Sequence, residues 1–243
     1  MIDYVAFPDV EDATNDGLLC AGGDLSVNTL VSAYSQGIFP WFNDDQPILW
    51  WSPDPRLVLF PDEVKVSRSL RKVIQKNTFE IRCNTAFEQV IEGCALRGAT
   101  STAQAIEDTW ITDAMHEAYV ELHKQNYAHS IEVWQDQKLV GGLYGIALGS
   151  TFFGESMFSR VSNASKLALV GLCEHLKTKN ITIIDCQVAS THLFSMGAKE
   201  ITRSEFMQYL APIKLTSKGL HTSHLIKKEF AQDIENSLQK FTK

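Results

Sequence analysis

Along this chain the spacing of apolar positions switches between a helical and an alternating period, and each switch marks an element. Asp24 or Ser26 can cap a short helix running through Gln36, which Gly37 ends. Pro40, Pro47, Pro53, Pro55 and Pro61 then forbid long regular elements. A strand from Phe79 to Cys83 leads into a helix from Phe87 to Arg97, with Val90, Ile91, Cys94 and Ala95 at helical spacing. A longer helix runs from about Thr112 to Asn126, capped by Thr112 or Asp113. From His129 the period becomes two. SIEVW, a turn at Gln135 to Gln137, KLVGGLYGIAL, a turn at Gly149 and Ser150, and TFFGES then form an antiparallel meander.

The next stretch, Thr151 to Gln187, reads as strand, helix, strand. Leu167, Val170, Cys173 and Leu176 share one side of its helix, Ala164 to Lys177, which Ser162 or Asn163 can cap. A crossover of this length joins parallel neighbours, so Glu155 in FFGES and Asp185 in ITIIDCQ are expected at one carboxyl edge of one sheet. Ligands of open α/β sheets sit at such an edge. A short helix at His192 to Ser195 follows, and a charged amphipathic segment, Lys227 to Lys240, closes the chain. The boundary falls near Asp62, where the prolines cease. It gives a small aromatic, proline-rich N-terminal domain over 1–62 and a larger domain over 63–243. The class is α+β. The meander feeding a crossover resembles the core of the GNAT N-acyltransferase fold, so the C-terminal domain is expected to be GNAT-like, with a mixed sheet and crossover helix.

Composition narrows the chemistry. With 243 residues and 44% apolar content this is an ordinary globular chain, and it has no apolar run of the roughly 20 residues a membrane helix needs. Its acidic start lacks the features of a signal peptide. Cys20, Cys83, Cys94, Cys173 and Cys186 form no CxxC pair and read as free thiols of a reducing compartment. The expected location is cytoplasmic, with no membrane association, and the expected state is a monomer. A net charge of −7 argues against a wholly basic nucleic-acid coat. It leaves room for a local patch, and KVSRSLRKVIQK carries Arg68, Arg71, Lys72 and Lys76 with no acid among them. Either this is a solvated helix face or it contacts phosphates.

A CoA-binding acyltransferase of that fold cradles the pyrophosphate on a glycine-bearing loop entering the crossover helix. Here the loop reads Arg160-Val161-Ser162-Asn163-Ala164-Ser165, with no glycine. Acyl transfer without CoA survives this test. Alternation puts Asp185 and Gln187 on one face of their strand and Cys186 on the other. The Asp185 carboxylate can then accept from the Gln187 amide and orient it, or simply be satisfied by backbone amides. Leu143, Phe152, Phe153, Met157 and Leu172 are either core or the lining of an apolar pocket. Trp41 and Trp110 are either local packing or platforms for bases.

With these residues in view, the chain resembles the leucyl/phenylalanyl-tRNA–protein transferase family. The resemblance rests on GLLCAGGDLSVNTLVSAYSQGIFPWF, ILWWSPDPR, VSRSLRK, TWIT, HSIEVW, LVGGLYGIALG, FFGESMFSR, NASK and IDCQ, which span about residue 17 to residue 206. It implies transfer of Leu, Phe or Met from aminoacyl-tRNA to proteins with N-terminal Arg or Lys, marking them for N-end-rule degradation, with no cofactor and no metal. It implies a catalytic relay of Asp185 and Gln187 assisted by Glu155, and Trp41 and Trp110 on the 3′ adenosine. Leu143, Phe152, Phe153, Met157 and Leu172 would line the aminoacyl pocket, with Phe153 biasing the donor toward Leu or Met. Arg68, Arg71, Lys72 and Lys76 would hold tRNA phosphates. Two competing readings remain: a CoA-dependent small-molecule N-acetyltransferase, and a tRNA-binding module without catalysis.

Overall fold

A computed structural model describes residues 3–96, 111–179 and 181–211, and the backbone of 215–216 and 219–220. The centre is a seven-stranded sheet in the order β10-β4-β9-β8-β7-β6-β5. Its meander follows the alternating segments: β5 (Glu80–Cys83), β6 (Ala128–Gln135), β7 (Lys138–Leu148) and β8 (Thr151–Ser159), each antiparallel to the next. The crossover helix α5 (Ala164–Thr178) returns the chain to β9 (Ile183–Gln187), which runs parallel to β8 as the connection requires. The sheet is therefore mixed.

Helices cover both faces. On one, α5 and α2 (Arg68–Gln75) bury Leu167, Val170, Leu172, Leu70 and Ile74. On the other, α1 (Val27–Ser35), α3 (Phe87–Ala95) and α4 (Asp113–Lys124) bury Leu30, Tyr34, Val90, Ile91, Met115 and Tyr119. The helices begin where their caps allow: Ser26, Ser67 and Thr112 each accept from a backbone N–H three residues on. Gly37, at φ +76°, lets the chain leave α1 in a conformation that a side chain disfavours.

Two features depart from the sequence expectation. First, β4 (Arg56–Leu59) lies between β9 and β10 (Lys199–Ile201), antiparallel to both. A strand from before the boundary expected at Asp62 thus belongs to the large sheet. Ahead of it, β1 (Leu18–Ala21), β2 (Phe39–Pro40) and β3 (Leu49–Trp51) make a small sheet of their own. Second, α5 is not capped by Ser162 or Asn163. Asn163 adopts a left-handed conformation at φ +70° with no side-chain cap bond, and the Ser165 amide donates to Ser159 Oγ at 2.7 Å. The strand end thus supplies the cap. Residues 227–240 lie outside the described residues.

Candidate active site

The site forms where β8 and β9 part. Their pairing covers only Thr151 to Phe153 against Ile183 to Asp185, after which the two strands diverge. A bulge on β8 shapes the opening. Tyr144 pairs with Ser156 and Gly145 with Gly154, so Glu155 is the extra residue. Gly145 is required opposite it, because a Cβ there would stand 2.1 Å from the Phe153 carbonyl oxygen. The bulge also reverses the side-chain parity of the strand beyond it. Phe153 and Phe158 therefore belong to the core under α1, α3 and α4, whereas Phe152 and Met157 pack toward α5.

A cavity of about 530 Å³ fills the opening, within the range of small-ligand pockets. Leu143, Phe152, Met157 and Leu172 line it, together with Leu169 and Ile184. Phe153 does not. It is fully buried on the opposite face, edge-on to Tyr34 and Phe206, so a donor bias through Phe153 loses its geometric basis. At the mouth stands Trp41, 46% exposed, its carbonyl accepting from the Trp51 indole. Trp110 lies outside the described residues.

Asp185 and Gln187 do not share a face of β9: the register shifts between them, so Asp185 stands opposite Val58 and Gln187 opposite Leu57, and their link differs from the expected one. Asp185 is fully buried and held by both prongs of Arg56, Nε to Oδ1 at 2.8 Å and Nη2 to Oδ2 at 2.7 Å. It accepts the Gln187 backbone N–H at 2.9 Å, not the side-chain amide. That amide donates instead to Glu155 Oε1 at 3.0 Å. The reason is local: the Val188 N–H closes on the Cys186 carbonyl at 2.8 Å, a three-residue γ-turn with Gln187 at φ +64°. Such a conformation is strained for glutamine, and it swings the side chain off the strand and across to β8.

Glu155 is the one carboxylate that lines the cavity among the described residues. The Tyr34 hydroxyl lies 2.8 Å from Oε1 and the Tyr119 hydroxyl 2.9 Å from Oε2, and the two hydroxyls also touch each other; with one proton apiece, both donate to an ionised Glu155 and neither is then left to donate to the other. Burial pushes its carboxyl up to about 7; the tyrosine bonds hold it lower than burial alone would, Asp185 raises it and Arg56 lowers it. Tyr144, 1% exposed, also lines the cavity, and its hydroxyl has no hydrogen-bond partner among the described residues.

The sequence reading did not single out Arg56, Tyr34, Tyr119 or Tyr144. A signal existed for the first, since an arginine heading the apolar run RLVL must find an anion once buried. For Tyr34 and Tyr119, a tyrosine on an apolar helix face needs a partner for its hydroxyl. Outside the cavity, Arg68, Arg71, Lys72 and Lys76 are exposed on or beside α2, in no ion pair among the described residues. Among the described residues no group of acids, histidines and cysteines is placed to hold a metal ion.

A mixed sheet with a parted strand pair, an apolar cavity and a carboxylate–amide pair at its mouth has the parts of an acyl-group transferase. Comparison with known proteins says which. The family model for leucyl/phenylalanyl-tRNA protein transferase matches residues 58–211, and that of its N-terminal domain matches residues 23–54; the chain belongs to this family, whose members are aminoacyltransferases. It is 52% identical over 209 residues to the leucyl/phenylalanyl-tRNA–protein transferase of Pseudomonas fluorescens, covering 85% of this chain and 90% of that one. To the protein of the same name from Chromohalobacter salexigens it is 58% identical over 208 residues, 85% and 79% of the two chains. Solved structures overlap it loosely. A GCN5-related N-acetyltransferase from Kribbella flavida gives a TM-score of 0.35 at 10% identity, with 71% of this chain and 60% of that one covered. L-PGS from Bacillus licheniformis gives 0.40 at 8%, with 86% and 62% covered.

Proposed function

We propose that the protein transfers a leucyl, phenylalanyl or methionyl group from aminoacyl-tRNA to the N-terminal Arg or Lys of acceptor proteins, so marking them for N-end-rule degradation. The observation that carries this reading is the cavity: apolar at its α5 side and polar at its mouth, in a chain of this family. An aminoacyl ester is already activated, so the enzyme's task is to position an amine, take up its proton and exclude water. Leu143, Phe152, Met157 and Leu172 would seat an unbranched apolar side chain, and a β-branched one would crowd the pocket near Cβ. Trp41 would stack on the terminal adenosine, with Trp110 as its partner. Asp185 would act through its hold on the Gln187 backbone, and Gln187 and Glu155 would meet the acceptor amine. Arg68, Arg71, Lys72 and Lys76 would hold the acceptor-stem phosphates.

The deciding assay incubates radiolabelled leucyl-tRNA with a peptide beginning in Arg and a matched peptide beginning in Ala. Label is expected on the first alone. Label on neither removes the reading, and equal label on both removes the acceptor preference. A CoA-dependent acetyltransferase would instead consume acetyl-CoA, which the glycine-free loop before α5 is poorly shaped to bind.

A further inference from the structure

We infer that Glu155 removes the proton from the attacking α-amine, and that Tyr34 and Tyr119 are positioning residues that hold its carboxylate for that step. This rests on the transfer reaction above and assigns its base.

The candidates are few. Glu155 is the only carboxylate that lines the cavity among the described residues. Asp185 lies behind it with both oxygens committed to Arg56 and one also to the Gln187 N–H. The Gln187 amide is a poor proton acceptor, and its nitrogen already donates to Glu155. Its Oε1 is left to receive a hydrogen bond from the amine, which makes Gln187 an orienter. His192 also lines the cavity, but it sits on the short helix Thr191–Ser195, and no hydrogen bond joins it to Gln187 or Glu155.

The support behind Glu155 is unusual for a residue that only fills space. Its three donors come from α1, α4 and β9. Tyr34 and Tyr119 are fully buried, and each has the single proton of its hydroxyl within reach of a Glu155 oxygen. The groups facing Glu155 are Tyr34 from α1, Tyr119 from α4, Tyr144 from β7, Gln187 and Asp185 from β9, and Arg56 from β4. The only cation among them, Arg56, is already paired with Asp185. That arrangement leaves a carboxyl that titrates at about 7, where a base can both accept and return a proton.

The step balances without a further reactant. The amine nitrogen attacks the ester carbonyl carbon and the C–N bond forms, while the nitrogen's proton moves to Glu155. The bond from that carbon to the ribose oxygen then breaks, and Glu155 returns the proton to the departing oxygen, which becomes the tRNA hydroxyl.

The test measures kcat for leucyl transfer to an Arg-peptide from about pH 5.5 to about pH 9, in the wild type, Tyr34→Phe, Tyr119→Phe and Glu155→Gln. Folding of each is checked by near-UV circular dichroism. Titration of the acceptor amine is common to all four and cancels in the comparison. Loss of a donor to the carboxylate favours its protonated form. Each Phe variant is therefore expected to shift the acidic limb to higher pH and to converge on the wild type at alkaline pH. Glu155→Gln is expected to lose about 100-fold or more at every pH, and with it the limb near neutrality. A uniform loss across pH in the Phe variants, or a Glu155→Gln enzyme that keeps the rate and the limb, overturns the proposal. Absence of transfer by the wild type would instead overturn the reaction itself, so the two failures are distinct.

Discussion

Arg56 and Asp185 show how one pair can anchor a site without touching the substrate cavity. Both are buried, and the guanidinium lies 4.8 Å from the centroids of both Phe39 and Phe206. Removing one partner from such a pair strands a charge, typically at a cost of about 3–5 kcal/mol, whereas replacing both by apolar groups is often neutral. Arg56→Leu should therefore lower the urea midpoint sharply, and adding Asp185→Leu should restore most of it. A single variant as stable as the wild type would mean that the pair holds nothing. The double variant should still be inactive, because Asp185 also fixes the Gln187 backbone. Sequence alternation places Asp185 and Gln187 on one face, and the register shift at Cys186 overturns that by setting them opposite Val58 and Leu57, on the two faces of the sheet. The destination of the Gln187 side chain was not legible, because it depends on a positive φ that no residue type there announces.

Among the elements, α2 carries the test of nucleic-acid contact. Its apolar Leu70 and Ile74 face inward while Arg68, Arg71 and Lys72 stay exposed, with Lys76 just beyond its end. If they meet phosphates, Arg68→Ala with Lys72→Ala should weaken aminoacyl-tRNA binding and reduce the slope of log K against log salt by about 1 per lost cation. An unchanged slope in a filter-binding titration would return α2 to a plain solvated face. The meander, the crossover and this helix were legible because each is set by spacing within a few residues. The strand β4 was not. Its four residues follow prolines, and its partners, β9 and β10, come more than a hundred residues later. The cap of α5 was misplaced for a related reason: Ser159 reaches it from the preceding strand, not from the helix's own first turn.

At the scale of the whole molecule, folding has to bury the Glu155 carboxyl proposed as the base. Glu155 titrates at about 7 when folded, against an ordinary 4.5. Between those values the folded chain keeps a proton that the unfolded chain has lost, so stability falls as pH rises through that window. The difference corresponds to ~3 kcal/mol, fully felt above neutrality. Glu155→Gln removes that dependence, though Gln satisfies the two tyrosines less well. The variant's Tm minus that of the wild type should thus rise between about pH 5 and about pH 8, and a flat difference would show that Glu155 is not held near neutrality.

The chain's local patterns were sufficient for the class, the order of the main elements, the parallel return that brings β8 and β9 together, and the family. Each follows from periodicity, caps and short motifs, which act over a few residues. Tertiary structure alone decided which atoms meet. Tyr34 reaches Glu155 across 121 positions and Arg56 reaches Asp185 across 129. The bulge at Glu155 sends Phe153 away from the cavity and Met157 into it. Strand divergence, bulge parity and buried pairing depend on what packs from elsewhere in the chain, and no local spacing encodes them.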